Sequence, residues 1–160
     1  MKRPAYGRKD RLVKQKRDDV YKARKKWPEP TVCTGCGAVF EGGRWLWKER
    51  PKQANAAVCP ACRRIADNYP AGTVEIRGPF FIEHREEILG LIRNVEDQEK
   101  VEHPLERIIS IADAEGGVSV TTTGIHVARR IGEALARSYK GDFAFQYGEG
   151  QKSIAVRWTR

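Results

Sequence analysis

The chain has 160 residues, of which 40% are hydrophobic and 32% charged, and 30 Lys/Arg against 21 Asp/Glu give a net charge of +9. That is enough for one ordinary domain, or a small one beside a tiny one, with a modest core and some solvated segment. No stretch approaches the 18 uninterrupted apolar residues of a membrane helix, and the basic start Met1-Lys2-Arg3-Pro4 has no apolar run behind it. The expectation is a basic protein of the cytoplasm, with no secretory signal and no membrane partner.

The charge is concentrated at one end. Residues 1–27 carry twelve basic and three acidic side chains, a balance of +9, whereas residues 28–72 balance at +2 and residues 73–160 at −2. Tyr6, Val13, Val20 and Trp27 recur every seven residues in this first segment, among Lys9, Arg11, Lys14, Lys16, Arg17, Arg24, Lys25 and Lys26. With so few apolar residues, it reads as a largely flexible arm, or one that becomes helical when its basic face meets a polyanion. Pro28 and Pro30 separate it from the cysteine-bearing segment.

Four cysteines form two pairs, Cys33-Thr34-Gly35-Cys36 and Cys59-Pro60-Ala61-Cys62, with 22 residues between them. Two residues between thiols let one tight turn aim both sulfurs at a single ion, and a second turn completes a tetrahedron. Gly37 permits the backbone angle such a turn often needs, and Pro60 stiffens the second turn. Disulfides fit poorly with the absent signal and lysine-rich arm, and a redox pair would need only one Cys-x-x-Cys. The expected cofactor is one structural Zn²⁺ held by Cys33, Cys36, Cys59 and Cys62, with no open coordination position. Between the pairs, Val39-Phe40 and Trp45-Leu46-Trp47 flank Glu41-Gly42-Gly43, a short hairpin. Arg63-Arg64-Ile65-Ala66-Asp67 starts a short helix; a zinc ribbon and a treble clef both remain compatible. Arg44, Trp45, Trp47, Lys48, Arg50, Lys52, Arg63 and Arg64 interleave cations with indoles, a pattern suited to phosphates and bases, with at least one Trp covering the metal core.

After the turn Tyr69-Pro70-Ala71-Gly72 the pattern changes. Val74, Ile76 and then Phe80-Phe81 predict a strand, and Ile88, Leu89, Ile92 and Val95 predict a helix from Glu83 to about Lys100, ended by His103-Pro104. Leu105–Ala112 reads as a strand; Val118, Val120 and Thr122 alternate as another. Thr123 is placed to cap a helix striped by Ala128, Ile131, Leu135 and Tyr139, which Lys140-Gly141 closes. Two more strands come next, one with Phe143, Phe145 and Tyr147 facing the core, the other with Ile154, Val156 and Trp158. The order β-α-β-β-α-β-β is that of a ferredoxin-like split βαβ fold with an extra C-terminal strand. The expected class is therefore α+β: an arm over 1–27, a Cys₄ zinc module over 28–72 and an α/β domain over 73–160. On the sheet's second face the pattern puts Arg77, Ser119, Thr121, Thr123, Gln146 and Arg157, suited equally to RNA backbone and to water. Glu96-Asp97-Gln98-Glu99 reads as a solvated helix face, and His84, His103 and His126 as caps or surface groups.

Tyr69-Pro70-Ala71-Gly72-Thr73-Val74-Glu75 and Gly78-Pro79-Phe80-Phe81-Ile82-Glu83-His84, placed after a four-cysteine module, resemble the Nmd-type family of adaptors for the large ribosomal subunit. His103-Pro104-Leu105-Glu106-Arg107-Ile108 and Val120-Thr121-Thr122-Thr123-Gly124-Ile125-His126-Val127-Ala128-Arg129-Arg130 are similar to small prokaryotic relatives of that family. The resemblance covers residues 30–160 and implies binding to the ribosome or ribosomal RNA; only the four cysteines carry over as site residues. One cysteine set stands where the larger adaptors carry more ligands, and their additional domains and export segments are missing, so no export role is implied. The expected function is non-catalytic, zinc-dependent binding of structured RNA on the ribosome. The alternative is a zinc-containing DNA-binding or transcription-associated factor. An enzyme acting on RNA or nucleotides comes third, since no acid–base pair, open metal site, phosphate-binding glycine loop or small-molecule substrate site is evident.

Overall fold

The structure, a computed structural model, describes residues 27–160 as an α+β protein with two mixed sheets and four helices. The basic residues expected to contact nucleic acid from Lys9 to Lys26 lie outside the described residues.

The first sheet is built from four strands of three residues each: β1 (Thr31–Cys33), β2 (Val39–Glu41), β3 (Arg44–Leu46) and β4 (Asn55–Ala57). Their order is β3-β2-β1-β4, antiparallel except for the β1/β4 pair. The β2–β3 hairpin turns at Gly42 and Gly43, both at positive φ (64° and 80°), as a tight two-residue turn requires. Sequence pattern does not announce β4: Asn-Ala-Ala has little intrinsic strand preference, and pairing with β1 in the register Thr31↔Asn55 to Cys33↔Ala57 makes it a strand. Helix α1 (Pro60–Asp67) comes next, with Pro60 in its first turn and Asn68 closing it in the left-handed region.

The second sheet has five strands: β5 (Gly72–Arg77), β6 (Ile108–Ala114), β7 (Gly117–Thr122), β8 (Asp142–Tyr147) and β9 (Ile154–Thr159). The short helix α2 (Pro79–Glu83) and the long α3 (Arg85–Glu102) lie between β5 and β6, and α4 (Ile125–Tyr139) lies between β7 and β8. Phe80 and Phe81 thus belong to a helix and not to the strand their apolar character suggests, because Gly78 at positive φ ends β5 and Pro79 starts the helical turn. The strand order is β6-β7-β5-β9-β8. β7 is antiparallel to both β5 and β6, so those two run parallel around it. The last strand is not at the edge. β9 inserts between β5 and β8, parallel to β5 from Gly72↔Ile154 to Arg77↔Thr159 and antiparallel to β8.

Both long helices cover one face. Ile88, Leu89, Ile92 and Val95 of α3, with Val127, Ala128, Ile131 and Leu135 of α4, bury against Val74, Ile76, Val118, Val120, Ile154, Val156 and Trp158. Each fully buried side chain of this size contributes roughly 1.5–3 kcal/mol, which makes this cluster the dominant stabilising element. Among the described residues no helix is long and apolar enough to cross a membrane.

Several details depart from the sequence pattern. β6 begins at Ile108 and not at Leu105, because the residues before it are drawn away from the sheet: Leu105 packs into the cysteine cluster. On the uncovered sheet face Arg77, Gln146 and Arg157 are exposed and Ser119 and Thr121 half-buried, but Thr123 is not among them. It is buried, its hydroxyl donating to the Leu105 carbonyl (2.6 Å) and accepting from the Arg107 N–H (2.9 Å). Thr123 does not cap α4 either; the N-cap is Gly124, with no side-chain hydrogen bond of its own. The Glu106 carboxylate, reaching across from the α3–β6 connection, accepts from the Val127 N–H (3.0 Å) and fills that role. Phe143 and Tyr147 pack on the core, yet Phe145 is 40% exposed at the edge strand, under the Arg129 guanidinium 4.6 Å from its ring centre. The acidic run is no idle surface: Glu99 is buried and paired with Arg130 (2.7 Å), and Glu96 accepts from the Ile108 N–H.

Candidate metal centre

The four cysteines converge. Cys33 ends β1 and Cys36 lies in the turn before β2; Cys59 is the N-cap of α1 and Cys62 sits in its first turn. All four are free thiols, and their sulfurs lie within 4.8 Å of one another. Cys33 and Cys62 sulfurs are 3.7 Å apart, and those of Cys36 and Cys59 are 3.8 Å apart. A disulfide would bring a pair to about 2.05 Å. The cluster therefore has the size and donor set of a site for one metal ion.

The local backbone is shaped for this. Gly37 adopts φ +81°, and its N–H donates to the Cys33 carbonyl (3.0 Å), closing the first turn. At Gly35 a side chain would run into Cys62: a β-carbon there would stand 2.9 Å from its sulfur. Backbone N–H groups point at the sulfurs, from Gly35 and Cys59 to Cys33 (3.3 and 3.2 Å) and from Cys62 to Cys59 (3.3 Å). The second sulfur pair thus uses the start of a helix, where unpaired N–H groups favour negative charge.

The electrostatics fit a cation-binding site. Burial opposes ionisation of Cys33, but N–H groups of Cys59, Cys36 and Gly35 outweigh it and hold its thiol down at about 6. Burial pushes the Cys36 and Cys59 thiols up, and the neighbouring cysteine charge adds to this. Cys33 thus ionises readily, while Cys36 and Cys59 resist until a cation offsets the charge.

A further group completes the surroundings. Arg107, 45 residues beyond Cys62 in the chain, donates from Nη2 to the sulfurs of Cys62 (3.2 Å) and Cys59 (3.4 Å). Burial disfavours its charge, but the hydrogen bond to Cys62 and the charges of Cys62, Cys59 and Cys36 more than compensate. Its Nε is buried with no hydrogen-bond partner among the described residues, so the guanidinium is committed to the sulfurs. No spacing rule points to Arg107. The only hint in the chain is a lone cation inside an apolar segment.

The other expected contact residues separate into groups. Arg44, Arg50, Lys52 and Arg63 are exposed. Lys48 is exposed but paired with Glu41. Arg64 is buried and donates to the Tyr69 carbonyl (3.2 Å), its guanidinium lying over the Tyr69 ring; it braces the end of α1 and does not face outward. Trp45 is buried beside Cys33, Cys59 and Phe40, covering the metal site, with Trp27 edge-on at 5.6 Å. Trp47 is 39% exposed, and its indole N–H donates to the Lys100 carbonyl at the end of α3 (2.6 Å). Compared with known proteins, the chain matches no family model and no curated protein.

Proposed function

We propose that this protein is a non-catalytic, cytoplasmic RNA-binding protein that holds one structural zinc ion and acts on the ribosome or a large ribosomal RNA. The observation that carries the reading is the closed four-sulfur cluster. Four sulfurs at about 2.3 Å from one zinc ion stand roughly 3.8 Å apart, which is the spacing of the Cys33–Cys62 and Cys36–Cys59 pairs. Zinc held this way stabilises the fold and leaves no position for a substrate or water. The second cysteine pair starts a helix, which favours a treble clef over a zinc ribbon. The five-stranded sheet reads as a ferredoxin-like core whose second βαβ unit is split by two strands, β5 and β9.

Around this module Arg44, Arg50, Lys52 and Arg63 are exposed cations, and the segment before it carries a balance of +9. Such charge attracts phosphates at a distance. The resemblance to the Nmd-type family points in the same direction, toward ribosomal RNA. Binding of structured RNA and of duplex DNA should be compared at physiological salt, with and without residues 2–26. Deletion should weaken RNA binding and flatten the dependence of log affinity on log salt by several units, each lost phosphate contact removing roughly 0.7–0.9. An unchanged slope would refute the role of the basic segment, and retention of duplex DNA alone would make the protein a DNA-binding factor.

A further inference from the structure

A cleft of about 580 Å³ opens between the β2–β3 hairpin and the start of α4 with the α3–β6 connection. Its size lies in the range of small-molecule and cofactor sites. The floor is apolar, with Phe40 and Trp45 from the hairpin and Pro104 and Leu105 from the opposite wall. The polar groups are few and of mixed sign. Arg130 is tied to the buried Glu99, whereas the exposed Arg44 stands at the hairpin end.

Along the α4 side lie His103, Glu106 and His126. Burial pushes the Glu106 carboxyl above the usual carboxylate range, and the Val127 N–H and the imidazoles of His126 and His103 draw it back. Both imidazoles are therefore within electrostatic reach of that carboxylate. Neither imidazole has a hydrogen-bond partner among the described residues, and both histidines are exposed. This is an aromatic and aliphatic floor, one edge carrying two uncommitted imidazoles beside the Glu106 carboxylate, and a cation near them.

That set excludes the simpler occupants. These residues do not form a metal site: among the described residues only the four cysteines bring three or more ligands together. A purely apolar ligand would leave the two imidazoles desolvated without partners. A bare anion would meet Glu99 and Glu106 as well as the two guanidiniums. A nucleotide matches each part. Its flat base covers the floor, its N–H and ring-nitrogen edge faces the imidazoles and Glu106, and its phosphate meets Arg44. Bases inside a duplex do not present a face to such a recess, whereas an unpaired one does.

We propose that this cleft receives one unpaired nucleotide of the RNA the protein binds; the assignment rests on the RNA-binding reading above. The basic segment then supplies attraction that ignores sequence, and the cleft supplies recognition of a base. Its two walls come from different parts of the fold, the hairpin of the first sheet and the helices that cover the second. They are held together by the Trp47–Lys100 hydrogen bond and by Arg107 on the cysteine sulfurs, so base recognition depends on an intact metal site.

The test uses the full-length, zinc-loaded protein at 150 mM salt and fluorescence anisotropy with two probes of equal charge. One is a mixed-sequence single-stranded RNA nonamer and the other is the same backbone without bases. The base-bearing probe should bind about tenfold more tightly or better, in line with base stacking on protein rings. Two variants address the cleft at exposed positions: His103→Ala with His126→Ala, which removes the edge contacts, and His126→Trp, which fills the space. Each should bring the ratio below threefold while zinc content and salt dependence stay at the wild-type values. Equal binding of both probes with a steep salt slope would overturn the cleft assignment and leave RNA binding standing. A preference that survives in both variants would place base recognition elsewhere and overturn it too. Competition by 5′-GMP as effective as the nonamer would replace an RNA strand with a free nucleotide as the ligand. No binding to either probe would overturn the assignment and the RNA reading together.

Discussion

Arg107 offers the sharpest check on how the two sheets and the metal site are joined. Its guanidinium makes two hydrogen bonds to cysteine sulfurs, at 3.2 and 3.4 Å, from a half-buried position. Hydrogen bonds to charged groups are worth about 1.5–3 kcal/mol each, and sulfur acceptors at these lengths belong at the low end, so the pair contributes about 3 kcal/mol. If that contribution arises only when the sulfurs are thiolates around an ion, it appears as metal affinity. At 1.4 kcal/mol per decade, about 3 kcal/mol corresponds to roughly a hundredfold, within the 10–100-fold typical of residues that support metal ligands. Arg107→Ala and Arg107→Met should therefore lower zinc affinity by 10–100-fold in competition with a chromophoric chelator. Arg107→Lys should fall between, because an ammonium keeps the positive charge but loses the delocalised, weakly hydrated guanidinium whose Nη2 donates to both sulfurs. Affinity within threefold of wild type in folded Arg107→Ala protein would refute the coupling. Lowered thermal stability at unchanged affinity would show that the arginine serves packing alone.

Three further outcomes are expected from the same structure. Changing any one of Cys33, Cys36, Cys59 or Cys62 to Ser should abolish stoichiometric zinc in elemental analysis and unfold residues 31–67, since structural zinc contributes on the order of 10 kcal/mol; the core formed by β5–β9 should keep its protected amides in hydrogen exchange, and its loss would show one cooperative unit. The half-buried Glu106 has a raised pKa because its partial burial disfavours the charged form, so its protonated form is favoured by folding. The wild type should lose stability relative to Glu106→Gln as pH rises from the ordinary carboxylate range through the raised value, and a flat difference between pH 4 and 7 in denaturant titrations would contradict this. Finally, Trp158→Ala should cost about 3–5 kcal/mol and Phe145→Ala under about 1.5 kcal/mol, because one side chain is fully buried and the other lies at a sheet edge; equal losses would argue against β8 as the edge strand.

Much of the fold is written locally. The two Cys-x-x-Cys turns, the glycine hairpin after Glu41 and the apolar stripes of α3 and α4 each arise from neighbours within a few residues, so spacing alone reveals them. The alternation in β7 and β9 likewise shows which side chains face inward. Short segments are less legible. β1 and β4 span three residues each and owe their state to the hydrogen bonds of a partner strand. Arg64 and Trp45 share the composition of an RNA-binding surface, yet both are buried, because a planar cation or an indole serves equally well to cover a small core.

By itself, then, the sequence determined the longer helices and strands, most of their inward faces and the two Cys-x-x-Cys turns, all properties set by contacts close along the chain. Only the tertiary structure decided which elements lie side by side. Alternation places Ile154, Val156 and Trp158 on one face but says nothing about a neighbour, and β9 becomes an inner strand because its backbone pairs with β5 and β8 together. Glu106 replaces Thr123 at the start of α4, and Arg107 reaches the cysteines, because the α3–β6 connection passes between the two sheets. Those positions follow from packing one core against another, where the partner of a side chain is chosen by proximity in space and leaves no period in the sequence to read.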